Sequence, residues 1–139
     1  MSVQRDYILR LIEQFFKFLA IILRLRDEKQ YEQANALIGE ACQKYLYLEM
    51  DSLISIDESE MLKMVDEKHF SLDQIEILAE LLKVKAEISL DTNHSFTAIN
   101  LFDKSLRLFN LVNETSVNYS LSRVNKMMEI RQALKNLKG

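Results

Sequence analysis

A chain of 139 residues with no proline, and with glycine only at positions 39 and 139, has little with which to build tight corners. Sheet-rich folds join short strands through Gly, Pro and Asn-Gly turns, and none of those signals occurs here. Good helix formers such as Leu, Glu, Lys, Ala, Gln and Met dominate instead. With 48% apolar residues the chain is not a disordered one, and its length suffices for one domain with a real core. The expected class is all-α.

The strongest helical pattern is the stretch from Asp6 to Arg26. One apolar stripe runs Ile8, Leu11, Ile12, Phe15, Leu19, Ile22, and a second runs Leu9, Phe16, Ala20, Leu23. Together they exceed the roughly 100° arc that an ordinary surface helix buries. This helix is therefore expected to be covered on two sides, by the rest of the chain and, in a homodimer, by a second copy. Its longest charge-free run, Phe18 to Leu23, is too short for a membrane span, which needs about 20 apolar residues. No secretory signal is visible, and a cytoplasmic protein is expected.

Downstream the pattern breaks into further helices. Asp27 to Gln30 is a polar break, with Asp27 placed to cap the next helix. That helix carries Ala34, Leu37, Ile38, Ala41, Tyr45 and Leu48 on one face. Glu49 to Ser55 is the least regular stretch. Asp57 with Glu60, flanked by Ile56 and Met61, reads as a capping box with a hydrophobic staple. Ser71 with Gln74, flanked by Phe70 and Ile75, repeats the arrangement. Helices then run to Leu90, through Ala98 to Val112, and through Leu121 to Leu137, separated by turns at 91–94 and 113–116.

The second and fifth of these six helices share a pattern: Ala34-x3-Ile38-x2-Ala41 and Ala98-x3-Phe102-x2-Ser105, each after a short polar turn. Small residues around one large apolar knob let the second helix of a hairpin nest on the first. Here the chain resembles the tetratricopeptide repeat (TPR), whose second helix shows an Ala-x3-aromatic-x2-Ala pattern. Ala34 and Ala98 lie 64 residues apart, near the roughly 68 of two such repeats. Ala86 stands where the family's first helix has a small residue, whereas the family's aromatic and Leu-Gly positions and terminal proline are missing. The layout is also similar to small bacterial helical proteins of unknown function that begin with a long apolar helix. The resemblance implies a degenerate TPR-like, right-handed stack of antiparallel hairpins that binds proteins or peptides. As a single domain it would comprise a hairpin over 6–48, an insert helix over 57–67, a hairpin over 71–112 and a C-terminal helix over 117–137.

Chemistry is hard to place on this chain. Neither His69 nor His94 has a second ligand at metal spacing, and each reads as a helix-end residue. Asp57, Glu58 and Glu60 read as first-turn acids rather than a cation site. No glycine-rich phosphate loop, nucleophile elbow or HExxH motif is present. Cys42, the one cysteine, reads as a small buried apolar residue, and Met127 and Met128 as core filler. The charge layout is uneven: Tyr47 to Glu80 holds ten acids against two lysines, and Val117 to Gly139 holds five basic residues against Glu129. The two segments are expected to be solvated faces or to lie near each other.

The expectation is thus a non-enzymatic interaction or scaffold protein without cofactor or metal. It would bind another protein or peptide through helix faces turned away from their hairpin partners. The candidate contacts are Phe16, Lys17 and Arg24 on the first helix and Lys83, Lys85 and Glu87 on the fourth. The alternatives are a homodimer using the first helix, a small-molecule sensor with a pocket in the bundle, and an anion or nucleic-acid binder using Arg123, Lys126, Arg131, Lys135 and Lys138. The last five residues spread round their helix, which argues against nucleic acid.

Overall fold

A computed structural model describes residues 2–139, and the side chains of residue 7 and residues 9–139. Seven helices and no strand occur among the described residues: α1 (Ser2–Asp27), α2 (Tyr31–Leu46), α3 (Met50–Ser55), α4 (Glu58–Glu67), α5 (Leu72–Asp91), α6 (Ser95–Thr115) and α7 (Leu121–Lys138). The additional helix is α3, in the stretch expected to be irregular. The chain divides into two compact units, Met1–Met50 and Asp51–Gly139, with the division in that same stretch.

In the first unit α1 and α2 form a hairpin. Phe15 is fully buried and meets Tyr45 edge-on, with ring centroids 5.6 Å apart. The turn is a Schellman closure. Gln30 N–H donates to Leu25 O (2.8 Å) and Lys29 N–H to Arg26 O (2.9 Å), with Lys29 left-handed at φ 60°. Asp27 is the last residue of α1 and does not cap α2. Gln30 holds the N-cap position without a side-chain hydrogen bond.

The α5–α6 turn of the second unit reproduces this geometry 64 positions later. His94 N–H donates to Ser89 O (2.7 Å) and Asn93 N–H to Leu90 O (3.1 Å), with Asn93 at φ 64°. Ala34 N–H to Gln30 O (3.0 Å) is matched by Ala98 N–H to His94 O (2.9 Å). The buried residues also correspond: Ala34 with Ala98, Ile38 with Phe102, Ala41 with Ser105, Tyr45 with Phe109. The shared pattern in the sequence is thus a shared hairpin geometry. The hairpins differ in how closely their helices approach. At the position of Phe15 in α1, α5 has Ala79, whose carbonyl accepts from Ser105 Oγ at 2.7 Å. Two small residues let α6 reach the α5 backbone, whereas an aromatic pair separates α1 from α2.

The expected caps of α4 and α5 form. Asp57 accepts from Glu60 N–H at 2.8 Å, and Ser71 and Gln74 make a reciprocal capping box. Ser120 Oγ accepts from Arg123 N–H and starts α7 at Leu121, four residues later than expected. Lys104, 2% exposed, donates to Leu53 O (2.7 Å), Ile54 O (3.2 Å) and Asn100 Oδ1 (2.8 Å), joining the end of α3 to α6. Burial lowers its pKa, against the opposing pull of Glu58, Asp57 and Glu60.

The most thoroughly buried helix is α5, not α1. Residues all round α5 are buried, including Glu80 and Lys83. On α1 only one of the two stripes is covered: Phe15, Leu19 and Ile22 are buried, while Leu9, Phe16, Ala20 and Leu23 are exposed.

Candidate functional site

The fourth-helix candidates fall on α5, under α7. Lys83 was expected to be exposed but is buried, held by Glu87 (3.2 Å) on its own helix and Glu129 (2.8 Å) on α7. Two further rungs lie beside it, Arg123 Nε to Glu76 Oε1 (3.3 Å) and Lys126 Nζ to Glu80 Oε2. Positions 76, 80 and 83 ascend α5 while 123, 126 and 129 ascend α7, so the two helices run parallel. Glu80, Lys83 and Arg123 are buried because each meets an opposite charge, whereas Glu129 at the outer end of its pair is 63% exposed. Burial pushes the Lys83 pKa down, but Glu87 and Glu129 outweigh it and the net shift is upward. Lys85 and Glu87 are half-buried, so neither is the open surface contact expected. Burial lowers the Lys85 pKa, partly offset by Asp51.

The basic C-terminal segment is largely accounted for by the same packing. Arg123 and Lys126 meet acids of the 47–80 segment, and Lys138 meets Asp103 at 3.2 Å. The uneven charge layout therefore reflects, at these positions, neighbours in the fold. Met127 is buried as expected; Met128 is 59% exposed.

The first-helix candidates lie on an open face. Lys17 and Arg24 are exposed, and Phe16 is 39% exposed. Three residues that were not singled out continue this face. Arg10 completes a row with Lys17 and Arg24 at seven-residue intervals, and Leu9 and Leu23 complete another with Phe16. Seven residues are about two helical turns, so each row stays on one side of α1. Among the described residues, no ion pair occupies Arg10, Lys17 or Arg24. The spacing carries the signal: Phe16, Lys17 and Arg24 are candidate contacts from the sequence, and the seven-residue interval adds Leu9, Leu23 and Arg10.

Two open clefts belong to the second unit. One, about 580 Å³, lies among α4, the 68–71 turn, α5 and α6, with Val65, Phe70 and Ile75 in its wall and Asp66 and His69 at its edge. The other, about 420 Å³, lies by Arg123, whose guanidinium is already held by Glu76 and Asn113. His69 is left-handed at φ 53° and closes α4 through its backbone, N–H to Asp66 O at 3.1 Å. His94 sits at the N-cap of α6, and its Nδ1 lies 3.0 Å from Thr92 Oγ1 rather than capping the helix. Among the described residues no group of three His, Cys, Asp or Glu is placed to hold a metal. Cys42 is fully buried, and burial first, then Glu49, pushes its thiol pKa up to about 12. It carries almost no thiolate at neutral pH.

The chain is an all-α protein of helical hairpins, and no described helix is long and apolar enough to cross a membrane. Comparison with known protein families, curated proteins and solved structures finds no match.

Proposed function

We propose that this protein is a non-enzymatic, cytoplasmic interaction module built as a degenerate TPR-like set of hairpins, with the open face of α1 as its docking surface. The observation that carries this reading is the pairing on one helix of an exposed apolar row, Leu9, Phe16 and Leu23, with a cationic row, Arg10, Lys17 and Arg24, that no ion pair occupies among the described residues. Solvent alone does not favour apolar side chains spaced to share one flank of a helix. The hairpin geometry repeated at 64 residues supports the TPR-like part of the reading.

Crosslinking capture from cell lysate, comparing the full chain with a Lys17→Glu/Arg24→Glu variant, tests it. A partner captured by the natural chain and lost by the variant is the expected outcome. Identical captures would remove the α1 face from the reading, and recovery of the protein alone would favour the homodimer.

A further inference from the structure

The two equivalent hairpins differ in what covers their first helix. In the second unit α7 packs on α6 and reaches α5, to which it runs parallel, through ion pairs at Glu76, Glu80 and Lys83. Subtracting the 64-residue offset places Ile12, Phe16 and Leu19 at the corresponding positions of α1. Leu23 corresponds in the same way to Glu87, which Lys83 holds. Leu19 is buried, but Phe16 is 39% and Leu23 38% exposed. Where α5 offers charges to a parallel neighbour, α1 offers apolar side chains. Arg10, Lys17 and Arg24 run alongside.

Resting on the interaction reading above, we infer that α1 receives an amphipathic α-helix of a partner protein, lying parallel to α1 on Leu9, Phe16, Ala20 and Leu23, with carboxylates on its flank facing Arg10, Lys17 and Arg24. The apolar row supplies the area to be buried, and the cationic row selects the partner and its register. Glu13 is the one acid between positions 9 and 24, so the face as a whole is cationic.

Charge argues against a second copy. An antiparallel two-fold pair of α1 helices would set Lys17 against Lys17 and Arg10 against Arg24. A parallel pair would turn the cationic row toward the flank of Phe15 and Leu19, which is already buried. A lipid surface fits less well, because an interfacial helix puts its apolar residues outermost. On α1 the cationic row lies outermost, opposite Phe15, Leu19 and Ile22, and the apolar row forms a shoulder beside it.

The test uses the full chain and three probes: a labelled helical peptide of about 20 residues with a leucine stripe flanked by glutamates, the same peptide with lysines for the glutamates, and phosphatidylglycerol vesicles. In low salt, about 0.05 M, the acidic peptide should bind at least about tenfold more tightly than the basic one, and the advantage should shrink several-fold by about 0.5 M. Lys17→Glu/Arg24→Glu should reverse the preference, and Leu23→Asp should weaken the acidic peptide about tenfold. A spin label on a cysteine introduced by Glu28→Cys, at the end of α1, should lie nearer the peptide's C-terminus than its N-terminus. Equal affinity for the two peptides, binding to neither, or the opposite orientation overturns the proposal. So does vesicle binding lost in the charge variant, or a dimer in sedimentation that Leu23→Asp dissociates. If the peptide experiment fails while lysate partners are still lost with Lys17→Glu/Arg24→Glu, the interaction reading stands and only the partner's chemistry is wrong.

Discussion

The Glu80 carboxylate, 4% exposed on α5, is held by the ammonium of Lys126 on α7, which is 24% exposed. With Arg123–Glu76 and Lys83–Glu129 on either side, this pair aligns two parallel helices that are not consecutive in sequence. Burial raises the Glu80 pKa; Lys126 and Lys83 oppose that shift, and Glu76 reinforces it. Removing Lys126 strands a buried charge. Lys126→Ala is expected to cost about 2–3 kcal/mol at neutral pH, below the roughly 3–5 of a fully buried pair because Lys126 is partly exposed. Since the native state protonates Glu80 more readily than the unfolded chain, this group's contribution falls as pH rises from the ordinary glutamate range through the raised native value. Protonation also removes the stranded charge in the variant. The cost of Lys126→Ala, read by urea denaturation, should therefore shrink toward about pH 4; a cost independent of pH would count against the assignment.

Lys104 joins α3 to α6 through two α3 carbonyls, Leu53 O and Ile54 O, so Lys104→Met should cost about 2–3 kcal/mol by leaving these and Asn100 Oδ1 of its own helix without their donor. Hydrogen exchange should show α3 amides losing protection before those of α6. The lowered native pKa gives the alkaline signature. Between it and the ordinary lysine value the unfolded chain holds more protons, so this group's contribution to stability rises with pH there. The variant should lose that rise.

Helix ends here use residues that do not favour them. Lys29 and His69 are left-handed C-terminal residues without being glycine, while Gly39 lies inside α2 with nothing within 4 Å of where a Cβ would stand. Lys29→Gly and His69→Gly should each raise stability by about 0.5–1 kcal/mol, and Asn93→Gly by less, because Asn tolerates this conformation. Gly39→Ala should also add about 0.5–1 kcal/mol. Thermal melting of the single variants checks all four signs.

Close approach of α6 to α5 rests on Ser105, fully buried with its hydroxyl 2.7 Å from Ala79 O. Ser105→Ala keeps the spacing and should cost about 1 kcal/mol for the lost hydrogen bond. Ser105→Leu forces the helices apart and should cost about 3 kcal/mol. Equal melting temperatures for the two variants would show that the spacing is not set here.

Much of this molecule was legible along the chain, because helices and their caps depend on neighbours within a few residues. The absence of proline, the apolar periodicity of α1, the Asp57 cap and the Ser71–Gln74 box are local, and each specified its element. The 64-residue pattern of Ala34 and Ala98 was also visible, since the same packing problem in two hairpins admits the same small residues. Helix ends were harder to place. Schellman closures at Lys29, His69 and Asn93 are held by backbone hydrogen bonds and need no glycine to announce them. Only tertiary structure decided which charged or apolar residues are covered. Lys83 and Glu80 look like surface residues on an isolated helix, and Leu9, Phe16 and Leu23 look like core. Covering depends on whether another helix arrives. On α5, α7 arrives with opposite charges from more than forty residues away. On α1, the apolar shoulder remains exposed. Periodicity reports which residues share a face, but not whether another helix covers it.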